Sequence, residues 1–241
     1  MDYKWDFRFI IHFLPALGHG LLVTIYVSLV AILFGTVVGV SLAVMKRSQN
    51  RFVSSLSELY IKLFLAFPVL VLIIWLYYCL PVLLKVHLSS TWTAIIALTL
   101  SLGGFIGDIV RAGIDAVPKG QIECAYSLGL SYNRTMYRIV LPQAIKMMIP
   151  PILGQYITCI KLSSLASIIA VYELLHTANN IISTTYKPLE MYTITAALYI
   201  IIILPMVYVM RYFEMRTLGF QERSKNFTVT KLFFLKWFRN A

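Results

Sequence analysis

Acidic residues are scarce: only 10 Asp and Glu stand against 21 Lys and Arg in 241 residues, a net charge of +11. Charge of either sign is thin, at 13% of the chain, where soluble domains carry roughly 25%. An ordinary cytosolic enzyme is excluded on that ground. Cysteine is also sparse. Cys79, Cys124 and Cys159 lie far apart, which excludes a Cys-x-x-Cys metal or redox site and an even disulfide framework. The three read as small interior residues. No G-x-x-x-x-G-K-[ST] stretch occurs, so no P-loop nucleotide site is expected. No His, Asp or Glu cluster falls at chemical spacing on an apolar segment. Neither a metal site nor a catalytic residue is expected, and His12 and His19 receive no role.

What is present is apolar surface, 59% of all residues. A soluble nucleic-acid binder is basic but less apolar, and a disordered basic tail lacks the aliphatic residues. The class that remains is an all-α, polytopic membrane protein with its basic residues gathered on one side and no nucleic-acid partner.

A helix needs about 20 apolar residues to cross roughly 30 Å of hydrocarbon. Charge-free runs of that size cover residues 21–45, 63–84, 88–107 and 191–210, and a fifth run, 147–172, is interrupted only by Lys161. The first run reads as a span, not as a cleaved signal. Five is an odd number, so the termini lie on opposite sides. Four basic residues flank one side: Lys4, Arg8, Lys85 and Lys187. Fifteen flank the other, three in the first loop, five in the third and seven in the C-terminal tail. This split places the N-terminus outside and the C-terminus in the cytoplasm. Residues 1–215 read as a transmembrane domain. Residues 216–241 read as a cytoplasmic tail, whose stretch Lys231–Arg239 alternates basic, aromatic and aliphatic residues. That pattern suits an anionic lipid surface; an unstructured tail is the other reading.

The third loop, 111–146, is too long for a turn. Pro118 and Gly120 punctuate its start, and 121–128 can form a short helix. Gly129 fits a left-handed stop. Ser131 or Asn133 can cap a second helix, where Met136, Ile139 and Val140 sit at helical spacing and Pro142 stands near the end. The expectation is a hydrophilic hairpin on the cytoplasmic face, its first helix carrying small residues and one acid: a docking knob for a soluble partner.

Glu123-Cys124-Ala125, three residues, Gly129, nine residues, Ile139, one residue and Leu141-Pro142 resemble the EAA loop of ABC-transporter permeases. Cys124 replaces the usual first Ala and is nearly as small. The flanks Gln121, Ser127-Leu128-Gly129 and Leu141-Pro142-Gln143-Ala144, with Asp108-Ile109-Val110-Arg111-Ala112-Gly113-Ile114 upstream, resemble the polar amino acid subfamily, which includes glutamate/aspartate, glutamine and histidine/arginine permeases. The resemblance covers roughly residues 15–215. It implies an ABC importer permease fold in the bacterial inner membrane. It implies a cytoplasmic ATPase dimer, a second permease subunit (identical or not), an extracytoplasmic binding protein and surrounding lipid. No cofactor is implied in this chain, since ATP is bound by the partner. Glu123, Cys124, Ala125, Gly129, Ile139, Leu141 and Pro142 become the coupling residues inserted into the ATPase.

An ionisable residue inside a span costs at least about 2.5–3.5 kcal/mol on insertion scales, so it is a functional candidate. Lys161 is that residue here. The stretch from Leu153-Gly154 through Lys161-Leu162-Ser163-Ser164-Leu165 resembles the cavity-lining segment of the family. The resemblance implies Lys161 as partner of a substrate carboxylate, Ser163 and Ser164 as hydrogen-bonding groups beside a local helix break, and Gln155 and Tyr156 as pathway residues. A bundle-stabilising lysine and a packing tyrosine remain the plainer readings. Leu162 replaces the usual Asp or Asn. Leu65-Ala66-Phe67-Pro68-Val69 keeps the family's proline, hence a kink, but lacks its arginine, and Leu72 replaces a glutamine. This pathway is therefore less polar. Either the substrate is less polar or the second permease supplies the site. Glu58 with Lys62, and Asp108 with Arg111, are spaced to pair; Glu173 and His176 share a helix face. An ion-driven secondary carrier is the rival class, disfavoured by the lack of inverted repeats, by only five spans and by the scarcity of intramembrane acids.

Overall fold

Within hydrocarbon every backbone N–H and C=O needs an internal partner, so long apolar runs become helices. The computed structural model describes residues 5–217, and every regular element among them is helical. In chain order these are α1 (Ile10–Lys46), α2 (Arg51–Ala66), α3 (Val69–Leu84), α4 (Ser90–Asp115), α5 (Lys119–Ser127), α6 (Tyr132–Thr135), a π-helical turn Met136–Val140, α7 (Leu141–Leu162), a 3₁₀ turn Ser163–Ile169, α8 (Leu174–Thr185) and α9 (Pro188–Thr217). The tail stretch 231–239 lies outside the described residues. Among the described residues four helical stretches are long and apolar enough to cross a membrane, 10–46, 90–115, 132–169 and 188–216.

α1 is apolar on all sides, as a helix between lipid and protein must be. Thr24, Ser28, Ala31, Gly35, Gly39 and Leu42 are buried at steps of three or four residues and form one seam. Leu22, Leu29, Leu33 and Val37 are exposed. The seam lies along α4. A Cβ added at Gly39 would stand 2.6 Å from Ile106 Cβ, and one at Gly103 2.8 Å from Val38 Cγ1. Helices in lipid gain little from hydrophobic exclusion against each other and associate by close packing at small residues. Seryl hydroxyls of α2 then cover the last carbonyls of α1. Ser57 donates to Leu42 O at 2.6 Å and Ser54 to Lys46 O at 2.9 Å.

The run 63–84, read from sequence as one kinked span, is two helices bent by 104°. Phe67 and Pro68 are extended, with ψ of 121° and 123°. Proline drives the residue before it out of the helical region, and packing sets the size of the bend. The bent pair is the fifth candidate span.

Charged residues gather at two ends. At one, Lys46 pairs with Glu58, which also takes Lys62 at 2.7 Å, as their spacing suggested. Arg47 meets Asp115 at 3.7 Å and Arg111 meets Asp108 at 2.7 Å. At the other, Lys187 meets Asp6 at 2.6 Å and lies 4.7 Å from the Phe9 ring centroid. Lys187, with the Arg8 backbone N–H, holds the Asp6 carboxyl below its usual range. Away from both ends and buried, Glu173 caps α8, accepting the N–H of Leu175 at 2.9 Å and of His176 at 2.7 Å, and the Tyr199 hydroxyl at 2.8 Å.

The α1–α4 contact carries a test. Overpacking of a tight interior costs about 1–3 kcal/mol. Gly39→Val is expected to lower the unfolding temperature of the detergent-solubilised protein. Gly18→Ala, with no heavy atom within 4 Å of its new Cβ, is expected to leave it unchanged.

Candidate functional site

The hairpin expected from the sequence is α5, a short turn and α6, seated on a small core of Val117, Val140, Ala144 and Met148. α5 stops at Gly129, whose φ is +76°. The Leu130 N–H donates to Ala125 O at 3.1 Å and the Gly129 N–H to Tyr126 O at 2.9 Å, the paired bonds of a Schellman stop. A residue with a Cβ held there costs about 1–2 kcal/mol. Gln143 Nε2 donates to Gln121 Oε1 at 2.7 Å, clasping the start of α7 to α5.

Of the coupling residues named from sequence, Ala125 is 1% exposed and turned inward. Glu123, Cys124, Gly129 and Pro142 are exposed, and Ile139 and Leu141 half-buried. Three expectations are corrected. Ser131 stands at the N-cap of α6 without a side-chain cap bond, and Asn133 lies inside the helix. The second helix does not end at Pro142. The Leu141 N–H donates to Met136 O across the π turn, and the proline falls in the first turn of α7, where a missing N–H is least costly. Cys79 and Cys124 are exposed, so only Cys159 is an interior residue.

Sequence reasoning also missed the apolar character of the knob. Tyr126 is exposed, as are Leu128 at 81% and Tyr137 at 72%. The available signal was a Leu directly before the glycine stop, where the chain leaves its helix and a side chain has no helical neighbour to cover it. Near the hairpin base Lys46, Arg47, Arg111, Asp115 and Tyr132 line an open cavity of about 320 Å³.

α7 and the turn after it carry the residues expected to line a pathway. Tyr156 and Thr36 Oγ1 lie 2.8 Å apart; the Thr36 hydroxyl already donates to Ile32 O at 2.7 Å, so Tyr156 is the donor. Ser163 donates to Ile160 O and Ser164 to Lys161 O, both at 2.8 Å. The helix break expected beside these serines takes the form of a 3₁₀ tightening over Ser163–Ile169. Lys161 is exposed. A second cavity, about 230 Å³, opens between α3, α4 and α7. Gln155 lines it; Tyr156, Lys161, Ser163 and Ser164 do not. Thr158, one turn before Lys161, stands on its wall.

An all-helical bundle of membrane-spanning length carrying a glycine-stopped hairpin points to a class, the multi-pass permease subunits of transporters. The family described as the binding-protein-dependent transport system inner membrane component matches residues 31–219, and the chain belongs to it. Over 204 residues it is 30% identical to the arginine transport system permease protein ArtQ of Bacillus subtilis, covering 85% of this chain and 93% of that one. Over 206 residues it is 36% identical to the nopaline transport system permease protein NocM of Agrobacterium fabrum, covering 82% and 86%. A solved structure described as an amino acid ABC transporter with histidines has a TM-score of 0.84 at 29% identity and covers 89% of this chain and 100% of that one. The inward-facing MetNI methionine ABC transporter, with a TM-score of 0.70 at 19% identity, covers 86% and 98% and shares the fold. The chain is thus a multi-pass inner-membrane subunit of an ATP-binding-cassette importer. It is a transport component, not an enzyme, and ATP is handled by a separate subunit. The ion-driven carrier weighed from the sequence is a different class.

Proposed function

We propose that this subunit translocates a polar amino acid or a related small solute, driven by a pair of cytoplasmic ATPase subunits. A second permease subunit completes the pathway, and an extracytoplasmic binding protein delivers the substrate. The relatives named for arginine and glutamine transport support an amino acid cargo. The N-terminus is outside and the hairpin cytoplasmic, in keeping with fifteen flanking basic residues against four. Residues 1–215 are the permease domain, and 216–241 a basic cytoplasmic tail.

One observation carries the coupling role. The hairpin runs without interruption into α7 through the π turn at Met136–Val140. A displacement imposed on the knob is therefore delivered to Gln155 and Lys161 through helix, which stays continuous across Pro150 and Pro151. Glu123 pairs with a basic group of the ATPase. Cys124, Ala125 and Gly129 shape the inserted knob, and Ile139, Leu141 and Pro142 brace it. Lys161 receives the substrate carboxylate at the pathway wall. Tyr156, Ser163 and Ser164 hold that wall in place.

Glu123→Lys and Gly129→Asp are expected to assemble normally yet to reduce substrate-stimulated ATP hydrolysis at least tenfold in proteoliposomes. Hydrolysis at the wild-type rate in both contradicts the docking role. Lys161→Met is expected to cut uptake without loss of assembly. Wild-type uptake in that variant returns Lys161 to a purely structural role.

Sidedness is checked through the exposed Cys124 thiol. In a variant lacking Cys79, a membrane-impermeant maleimide is expected to label Cys124 in inside-out vesicles and not in right-side-out vesicles. The reverse pattern inverts the orientation.

A further inference from the structure

The cavity between α3, α4 and α7 has a chemistry of its own. Phe67, Val69, Leu98, Leu102, Phe105 and Leu162 make its walls apolar. Among the described residues no carboxylate, ammonium, guanidinium or imidazole lines it. Two polar side chains on its wall are unspent. Ser101 is only 4% exposed, and neither its hydroxyl nor the Gln155 amide bonds another described residue. The Ser101 oxygen opens onto the cavity, so its hydrogen bond is available to a ligand there. A third donor source adjoins them. Phe67, Pro68 and Val69 line the cavity, so the start of α3 opens onto it. Pro68 stands at the N-cap and offers no side-chain bond. The first N–H groups of that helix therefore lack helical partners.

We propose that this cavity receives the side chain of a neutral amino acid, and that Ser101 and Gln155 are the specificity-determining residues. The inference rests on the amino acid importer reading above. A cationic side chain meets no acid here and faces the positive end of α3. An anionic side chain meets no cation, and a helix terminus offsets only part of the desolvation of a buried carboxylate. A neutral side chain loses little. Its methylenes lie against Phe67, Phe105 and the leucines, and an amide or hydroxyl end finds donors in Ser101, Gln155 and the α3 terminus. The charged backbone groups of the ligand stay at the mouth, where Thr158 stands one turn from Lys161 on the same face of α7.

The test is equilibrium binding to the full transporter complex, purified in detergent, with tritiated glutamine, leucine, glutamate and arginine as separate probes. At least one neutral ligand is expected to bind tenfold or more tightly than both charged ones. Gln155→Leu and Ser101→Ala are each expected to weaken glutamine about three- to tenfold and to leave leucine within about twofold. Gln155 is half-buried, so its variant carries the test if Ser101→Ala does not assemble. Arginine or glutamate binding as tightly as the neutral probes overturns the proposal, as does unchanged glutamine binding in Gln155→Leu or no binding of any probe. ATP-driven uptake of an amino acid mixture is measured in parallel. Uptake together with a preference for charged ligands overturns this inference alone, whereas no ATP-driven uptake of any amino acid overturns the importer reading itself.

Discussion

The helical path from Tyr132 to Ile169 passes through three prolines, Pro142, Pro150 and Pro151, without breaking, and the proposed function depends on that continuity. Proline inside a helix removes one backbone bond and crowds the preceding turn, at roughly 3 kcal/mol or more. The π turn at Met136–Val140 widens the helix just before Pro142 and reassigns the Leu141 N–H to Met136 O. Pro142 then behaves as a first-turn proline. At 1.5 Å per residue, the path from the hairpin to Gln155 is roughly 35 Å long. A rod of that kind delivers displacement; a chain broken at Pro142 would dissipate it.

A rod transmits motion only if something else stays still. α1 and α4 supply that frame, because their backbones approach closely at Gly39 and Gly103 and leave no room to slide. α2 is pinned to the end of α1 by the hydroxyls of Ser54 and Ser57. The ion pairs of Glu58, Asp108 and Asp115 close the same end. Exposed pairs of this kind contribute about 0–1 kcal/mol each, so they orient the helix ends more than they hold the bundle together. The proposed side-chain cavity lies between this frame and the rod, bounded by α3 and α4 on one side and α7 on the other. Movement of α7 would therefore change its size directly.

Much of the architecture was legible because hydrocarbon imposes a simple rule. Charge-free runs became helices, and the spacing from Glu123 to Pro142 identified the hairpin. Gly129 took up the left-handed conformation its position required, and the Asp108–Arg111 and Glu58–Lys62 pairs formed as spaced. What stayed hidden depends on packing between segments distant in sequence. A proline marks a break at Phe67–Pro68, but its 104° angle comes from what α2 and α3 each pack against. Pro142 obeys a different outcome because a π turn precedes it, and no residue type announces a π turn. Periodicity placed Gln155, Tyr156 and Lys161 on one helix without saying which faces the cavity; α1 settles that by holding Tyr156 through Thr36. Ser101 carried no sequence signal, since a serine in an apolar helix usually bonds its own backbone.

Helical continuity between knob and pathway is open to a direct measurement. Ile145 and Lys146 are exposed residues of α7, so replacing both preserves the helix register and the bundle core. In proteoliposomes the measured quantity is amino acid taken up per ATP hydrolysed. With Ile145→Ala/Lys146→Ala the ratio is expected to match the wild type. With Ile145→Gly/Lys146→Gly, where each glycine costs the helix about 1 kcal/mol relative to alanine, hydrolysis is expected to continue while the ratio falls at least tenfold. A glycine variant that transports at the wild-type ratio contradicts the account.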